Sequence, residues 1–193
     1  MKRAYTLKRR AEQQADTRQR IVEAAVELHS KVGPAQTTIS MLAERAGVQR
    51  HTVYAHFPDE WSLFCACSGL ALERDPLPDA KLLADIPGTE DRLRRGLGDL
   101  YAWYGRNAEL AACILRDAEY HALTKDIVAL RLGPPMGALA AALGTGFAAS
   151  RQQQAALQLA LSFFTWRQLT REAGLSLTEA VDLTARTVLS AAA

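Results

Sequence analysis

Apolar residues recur along this chain at the three- and four-residue spacing of amphipathic helices, and no convincing strand-like alternation interrupts them. The first clear helix begins after Asp16, a candidate N-cap, and ends at Gly33-Pro34. Its apolar face comprises Ile21, Ala24, Ala25, Leu28 and Val32. The same periodicity returns throughout the chain, so the pattern predicts an all-α fold of about nine helices.

Two short helices come next, joined by a turn that contains glycine. The first spans Thr38–Ala46 with Thr38 as its N-cap, and Gly47 is placed to end it in the left-handed conformation. The second spans Gln49–Ala55. Their shared apolar positions are Leu42, Ala43, Val48 and Val53. Two short helices with such a turn predict a helix-turn-helix, whose second helix enters the major groove of DNA.

The rest of the chain is also predicted to be helical. Asp59 can cap a helix that runs towards Arg74, and Asp75–Gly88, with three prolines and a glycine, predicts a long loop. Gly133-Pro134-Pro135 should kink or split the third of five further helices. These helices are predicted at Thr89–Arg106, Ala108–Leu123, Asp126–Gly144, Arg151–Ala173 and Ser176–Ser190.

Charge is divided unequally along the chain. The 193 residues carry a formal net charge of +2, but Met1 to Phe57 holds ten Lys/Arg and five Asp/Glu, which leaves −3 for the remainder. A basic segment on a mildly acidic body is typical of a duplex-binding module attached to another domain, although a solvated basic tail gives the same balance. Residues 1–15 are basic and polar without an apolar period, and we predict a flexible basic arm there.

Composition and cysteine usage narrow the class of protein. Hydrophobic residues at 49% and charged residues at 23% indicate a globular protein. No signal peptide is visible, and the most apolar stretches, 136–149 and 155–166, are too short or too interrupted to span a bilayer. The three cysteines are an odd number, and Cys65 and Cys67 are too close for a structural disulfide. We therefore expect a cytoplasmic protein without a membrane partner.

Signatures of catalysis and of cofactor binding are missing from the sequence. It has no metal-ligand spacing, no glycine-rich phosphate loop and no convincing nucleophile–base pair. Cys113 and His121 lie eight residues apart on one predicted helix, which is too far for a thiolate–imidazole pair. We predict no catalytic residue, no metal, no cofactor and no enzyme activity.

The helix-turn-helix region resembles the DNA-binding domain of the TetR family of transcriptional regulators. The resemblance covers Thr17–Phe64, about a quarter of the chain, with its motifs in the expected order and spacing. The motifs are Arg20–Ala25, Gly33, Thr37–Ile39, Leu42–Val48 and Thr52–Pro58. The resemblance implies a DNA-binding domain at 16–58 and a helical ligand-binding and dimerisation domain at 59–193.

The resemblance also implies roles for individual residues. Those at the start of the second short helix would meet base edges or phosphates, where Arg can pair with guanine and Gln with adenine. Others would contact the DNA backbone. The candidate DNA-binding residues are Thr38, Gln49, Arg50, His51, Thr52, Tyr54 and His56.

Two positions depart from the family pattern. Gln49 stands where the family usually has a small hydroxyl residue, so the cap of the recognition helix should be weaker. Glu60 stands where the family often has a lysine beside a backbone phosphate. We hypothesise that the basic arm compensates for the phosphate interaction that Glu60 cannot make; its charges are Lys2, Arg3, Lys8, Arg9 and Arg10.

The predicted helix Arg151–Ala173 is apolar on two opposite faces, so it must be buried on two sides. One side can face its own core and the other a partner subunit, although burial on both sides within one subunit is the alternative. The resemblance implies a four-helix interface across a two-fold axis. Candidate interface residues are Leu159, Phe163, Trp166, Val181 and Val188.

A ligand pocket is suggested by the predicted helix Ala108–Leu123, where Asp117 and His121 share an otherwise apolar face and could pair with each other. A satisfied buried pair without a ligand is the alternative. Candidate ligand-binding residues are Tyr104, Cys113, Asp117, His121 and Phe163.

Together these features predict a ligand-responsive regulator, a repressor by the family's usual mode. It would bind an inverted-repeat DNA operator as a homodimer and release it when an unknown small molecule binds. An all-helical small-molecule-binding protein or enzyme with a vestigial helix-turn-helix is the alternative. An architectural DNA binder is a third class, against which the large helical body argues.

Overall fold

The structure, a computed structural model, describes residues 2–147 and 150–191. Within these two ranges it contains eleven α-helices and no strand, which confirms the predicted all-α fold class. The chain divides into two compact units. The first comprises the chain up to Arg74 together with Ala112–Arg131. The second comprises Asp75–Ala111 and the chain from Leu132 onward, so helices α7 and α8, defined below, each contribute to both.

The first unit contains the helix-turn-helix. A 3₁₀ turn at Pro34–Gln36 separates its first two helices, and the end of α7 and the start of α8 complete it. Its helices are α1 (Lys2–Lys31), α2 (Ile39–Ala46), α3 (Arg50–His56) and α4 (Glu60–Arg74), with parts of α7 (Ala108–Ala118) and α8 (Ala122–Gly144).

The flexible arm expected at residues 1–15 is helical from Lys2, so that expectation was wrong about its conformation; Met1 lies outside the described residues. The segment is rich in Lys, Arg, Ala, Gln and Glu, which are strong helix formers. It also continues a packed helix, so it needs no nucleus of its own. Lys8 and Glu12, one turn apart, form an ion pair at 3.9 Å.

Apolar residues from four helices make the core of the first unit. Ile21 and Ala25 of α1 and Val53 of α3 are fully buried, and Leu42 of α2 and Leu63 of α4 are nearly so. Burial of this apolar surface, rather than helix propensity, holds the short helices α2 and α3 in place, because helices of eight and seven residues are marginal alone.

The second unit is built around α6. Its helices are α5 (Ala80–Ala84), α6 (Thr89–Arg106), α9 (Arg151–Leu161), α10 (Phe163–Arg167) and α11 (Leu177–Ser190), with a π-helical turn at Gln168–Glu172 and the remaining parts of α7 and α8.

The single helix predicted at 151–173 is broken at Ser162. Ser162 is extended, with φ −74° and ψ 133°, and its hydroxyl accepts a hydrogen bond from the Phe164 amide at 3.2 Å. Two tyrosine hydroxyls of α6 donate to carbonyls at the end of α9. Tyr101 donates to Ala160 at 2.9 Å, and Tyr104 donates to Leu161 at 2.7 Å. The break is therefore stabilised by buried hydrogen bonds from residues almost 60 positions away in sequence.

Other boundaries also differ from the sequence prediction. The predicted loop 75–88 contains α5, which begins where the Asp79 carboxylate accepts from the Lys81 amide at 2.9 Å. The helix predicted at 108–123 ends at Ala118. Prolines 134 and 135 were expected to kink or split a helix, but α8 runs through both without a break.

The continuity of α8 changes one expectation about membranes. An 18-residue window of α8 has a mean hydropathy of 1.4, and only 17% of that window is buried. By length and composition this helix could cross a bilayer, which the apolar stretches considered in the sequence could not. A single such helix is weak evidence of a membrane protein, because helices of water-soluble proteins reach the same values.

His29 is buried in the first unit although it is ionisable. Its side chain is 4% exposed, its Nδ1 lies 3.6 Å from Cys67 Sγ, and its ring packs on Phe64 with centroids 5.0 Å apart. Burial lowers the pKa of His29 from 6.5 to about 4, against a smaller opposing effect of the Asp117 charge. His29 is therefore neutral at pH 7.

Lowering the pH should destabilise the protein through His29. The unfolded chain protonates this histidine near pH 6.5, whereas the folded chain resists protonation until about pH 4. The stabilisation is therefore fully present above pH 6.5 and falls as the pH drops towards 4, by about 3 kcal/mol at about 1.4 kcal/mol per pKa unit. Urea unfolding at pH values between 4 and 8 measures this decline.

A His29→Leu variant cannot titrate and should show a shallower decline over the same pH window. His51→Leu, which removes an exposed histidine, serves as the control and should keep the wild-type profile. An equal decline in the wild type and His29→Leu would contradict the assignment.

Candidate nucleic-acid interface

The turn between α2 and α3 has the geometry that the sequence predicts. The Thr38 hydroxyl accepts a hydrogen bond from the Met41 amide at 3.2 Å, which confirms Thr38 as the N-cap of α2. Gly47 is left-handed, with φ 64° and ψ 40°, and its amide donates to carbonyls of the last turn of α2. Glycine suits this position because a left-handed conformation strains other residues.

Helix α3 is buried on one side and exposed on the other. Val53 is fully buried and Phe57, directly after the helix, is 3% exposed. Gln49 makes no side-chain cap hydrogen bond to any residue described, which confirms the weaker cap expected there. Every candidate DNA-binding residue is accessible: Thr38, Gln49, Arg50, His51 and Tyr54 are exposed, and Thr52 and His56 are partly exposed.

This surface carries the groups that a duplex requires. It offers one guanidinium, two imidazoles, hydroxyls from threonine and tyrosine, and the amide of Gln49 at the start of α3. Hydroxyls and helix N-termini suit phosphate oxygens, and arginine and glutamine side chains suit base edges. The assignment of each residue to a base or a phosphate remains a prediction.

Two arginines of α1 contact the helix-turn-helix, and neither contact was predicted from the sequence. The Arg18 guanidinium lies over the Phe57 ring, 4.8 Å from its centroid. Arg20 donates from Nη1 to the Ala46 carbonyl at 2.9 Å. Arg20 belongs to the motif that carries the resemblance, but the sequence holds no signal for its distant backbone partner.

The carboxylate of Asp117, predicted to bind ligand, instead holds the turn between α1 and α2. Asp117 is fully buried. It accepts hydrogen bonds from the Ala35 amide at 2.9 Å, from the Tyr120 hydroxyl at 2.8 Å and from Arg116 Nε at 2.8 Å. Burial alone would raise the pKa of Asp117, but these donors together lower that pKa below its ordinary value. Asp117 is therefore ionised at neutral pH.

The backbone at Gly33 permits this close approach. Gly33 has φ 95°, and a Cβ added to it would collide with the Asp117 carboxylate and the Arg116 guanidinium. Arg116 also donates from Nη2 to the Val32 carbonyl at 2.9 Å. The end of α7 thus binds both sides of the turn that leads into α2.

The other ligand candidates have structural partners of their own. The Tyr104 hydroxyl donates to Leu161, Cys113 Sγ lies 3.3 Å from the Ser30 carbonyl, and Phe163 is 3% exposed. His121 and Asp117, which could have paired, have different partners: His121 Nδ1 lies 2.7 Å from the Thr124 hydroxyl. Ligand binding by these residues stays a prediction.

The structure corrects four of the five candidate interface residues. Phe163 and Trp166 are each 3% exposed, Val181 is 9% exposed and Val188 is fully buried, so all four pack inside their own unit. The break at Ser162 shifts the helical phase and turns Phe163 and Trp166 inward. Leu159 remains exposed at 64%, and the other exposed large apolar residues of α10 and α11 are Phe164, Leu177 and Leu183.

The grouping of potential metal ligands and a contact between a cysteine and a histidine bear on metal binding and on catalysis. No group of three or more His, Cys, Asp or Glu that could hold a metal ion occurs among the residues the structure describes. Cys67 lies beside His29, but burial raises the pKa of the Cys67 thiol to about 12, so the thiol stays protonated at pH 7.

The helix-turn-helix segment is similar in sequence to known regulatory proteins. Residues 21–67 match the family described as bacterial regulatory proteins, tetR family. The HTH-type transcriptional regulator AcrR of Shigella flexneri is 40% identical over 57 residues. The helix-turn-helix segment therefore matches the DNA-binding segment of the TetR family. This assignment rests on the segment that contains α2, α3 and the candidate DNA-binding surface.

Solved structures share the fold of almost the whole chain. A TetR-family regulator from Mesorhizobium loti superposes with a TM-score of 0.65 at 19% identity, covering 92% of this chain and 96% of that one. FadR of Bacillus subtilis, solved with stearoyl-CoA, gives 0.63 at 17% identity, covering 90% and 98%. The match to AcrR spans 29% of this chain and 26% of AcrR.

Replacing Asp117 should loosen the α1–α2 turn. Asp117→Ala leaves the partly buried Ala35 amide without its acceptor and removes the partner of the exposed Arg116, so we expect a decrease of about 1–3 kcal/mol in the free energy of unfolding. Asp117→Asn keeps one carbonyl oxygen for the Ala35 amide and should be less destabilised. Urea unfolding measures stability, and hydrogen exchange at residues 33–37 locates the change.

The control is Asp126→Ala, which removes an exposed carboxylate from the same unit and should change stability by less than about 0.5 kcal/mol. Unchanged exchange at residues 33–37 in Asp117→Ala would show that the turn does not depend on this carboxylate.

Proposed function

We propose that this protein is a transcriptional regulator that binds double-stranded DNA through α2 and α3 and acts in the cytoplasm. The observation that carries the proposal is the one-sided burial of α3. Val53 fixes one face in the core, and Arg50, His51 and Tyr54 stand on the exposed remainder. A helix held in this way after a left-handed glycine can enter a major groove without rearrangement.

The protein acts as a homodimer on an inverted repeat. One recognition helix reaches only a few base pairs, so two related by symmetry are needed to read a long site. The exposed Leu159, Phe164 and Leu183 support a dimer face on α9, α10 and α11 of the second unit, because exposed large apolar side chains on neighbouring helices favour association. Leu159 is retained from the sequence prediction, and Phe164 and Leu183 replace the buried candidates.

A small molecule releases the DNA, and repression is the resulting mode of control. FadR holds stearoyl-CoA in its structure, which supports small-molecule control of this fold without identifying the effector of the present chain. Asp117 offers a route for the signal, since it joins the end of α7 to the turn that leads into α2. A ligand that favours one position of α7 would bias α2 and α3 with a coupling of about 1–3 kcal/mol.

A selection from random DNA with the purified protein, followed by a footprint on the best sequence, tests DNA recognition. We expect a protected inverted repeat. Arg50→Ala should weaken binding by about 1–3 kcal/mol and relax the preference at one position of each half-site, if its guanidinium contacts a base. Arg95→Ala, an exposed arginine of α6 that lies outside the proposed dimer face, is the matched control and should bind like the wild type. Failure of the folded protein to enrich any sequence would refute DNA recognition.

Sedimentation of Leu159→Glu/Leu183→Glu tests the dimer face. A buried apolar contact replaced by two charges should convert the dimer to a monomer at micromolar concentration while helix content is retained. Leu82→Glu is the matched control, because Leu82 is 71% exposed in the same unit but lies on α5. A wild type that sediments as a monomer, or a double variant that stays dimeric, would overturn this face.

A further inference from the structure

Residues Lys8–Asp16 of α1 present an unpacked polar surface. Every one of these side chains is exposed, and the next buried apolar residue along the helix is Ile21. A helix without an apolar face gains little from tertiary packing, so this stretch contributes little to the core of its unit. Its surface is free to bind a partner.

The two acids of residues 8–16 lie on one face of α1. At 3.6 residues per turn, Arg10, Gln14 and Thr17 lie within about 40° of Ile21, whose side faces the core further along the helix. Glu12 and Asp16 lie about 140° or more from Ile21. The side that continues the packed face therefore carries Arg10 and no acid, whereas both acids are on the back together with Lys8 and Arg9.

The ion pairs follow the same division. Lys8 pairs with Glu12 at 3.9 Å, and Arg20 pairs with Asp16 at 3.3 Å. Arg10 forms no ion pair with any side chain in the described part of the chain. Its charge is thus available to an external anion.

Contacts of α1 place this surface beside the helix-turn-helix. Arg18 stacks on Phe57, the residue directly after α3, and Arg20 bonds Ala46, the residue directly before the Gly47 turn. Helix α1 thus passes both elements at residues 18–20. Arg10 lies about 12 Å further along the helix axis, at 1.5 Å per residue.

We propose that residues 8–18 of α1 form a second DNA-contact surface, in which Arg10, Gln14 and Thr17 bind phosphates that flank the base pairs read by α3. This proposal rests on the proposed DNA-binding function. An exposed arginine beside a recognition helix is suited to bind backbone phosphates, and amide and hydroxyl side chains bind them as well. In a flexible arm any cation could reach a phosphate, whereas in a helix only the residues on the face towards the DNA can do so.

Two charge-removing variants, measured on the footprinted operator, distinguish a helical contact surface from a flexible basic arm. Arg10→Gln removes one phosphate-binding cation from each subunit. For each cation removed, the affinity for DNA should fall about fivefold near 0.15 M salt, and the slope of log affinity against log salt concentration should fall by about one. Lys8→Gln removes the same charge two residues away, but Lys8 is on the back of α1 and paired with Glu12, so binding should match the wild type. Titrations between 50 and 200 mM salt give both quantities.

Two charge-adding variants test the same surface by gain of affinity. Gln14→Arg places a cation at the centre of the proposed face and should tighten binding and steepen the salt slope. Gln19→Arg places it on the back, where the Gln19 amide now donates to Glu23 at 3.1 Å, and should leave binding unchanged. Both glutamines are exposed, and circular dichroism should show wild-type helix content in all four variants.

Equal weakening by Arg10→Gln and Lys8→Gln would overturn the helical surface in favour of a flexible arm. Wild-type binding by all four variants, on an operator that the wild type protects, would overturn any contact by this part of α1. If the wild type protects no DNA at all, the proposed function fails and this inference fails with it. The footprint of the wild type therefore distinguishes the two failures.

Discussion

The hydrogen bonds to the buried carboxylate of Asp117 are the constraint on which the DNA-binding unit depends. They connect the end of α7 to the Ala35 amide, and Gly33 makes room for them by lacking a side chain. A buried ionised carboxylate is tolerated only when donors replace its lost water, and Tyr120 and Arg116 supply the rest. Since α2 begins four residues after Ala35, this anchor also constrains where α2 and α3 can lie.

The second unit shows a comparable dependence on polar groups inside an apolar core. The break at Ser162 leaves carbonyls at the end of α9 that no continuing helix can satisfy. Tyr101 and Tyr104 satisfy two of them, and the ring of Tyr104 packs on Phe163 and Trp166. The aromatic rings of Tyr104, Phe163 and Trp166 are thereby packed against each other within one subunit. The exposed leucines of α9 and α11 are left as the apolar surface that a second subunit can cover.

Surfaces for DNA arise in the first unit by two different physical routes. Helix α3 is fixed by its buried face, so its exposed residues are presented at defined positions, as base recognition demands. Residues Lys8–Asp16 of α1 lack such a face and carry charge at helical spacing, which suits phosphates rather than bases. The packed half of the same helix nevertheless fixes which way these side chains face around the helix axis. The proposed DNA complex would in this way assign sequence reading and binding strength to different helices of one unit.

Sequence alone determined the features that depend on a few neighbouring residues. Thr38, Gly47 and Gln49 could be assigned because caps and left-handed turns are local, and the helix-turn-helix motif followed from their spacing. Tertiary structure decided the rest. Asp117 and Ala35 are 82 residues apart, and no local pattern identifies such a partner. Phe163 and Trp166 were misassigned for the same reason, since the helix break that turns them inward is stabilised by tyrosines of a distant helix. Burial is a property of through-space packing, which periodicity constrains without fixing.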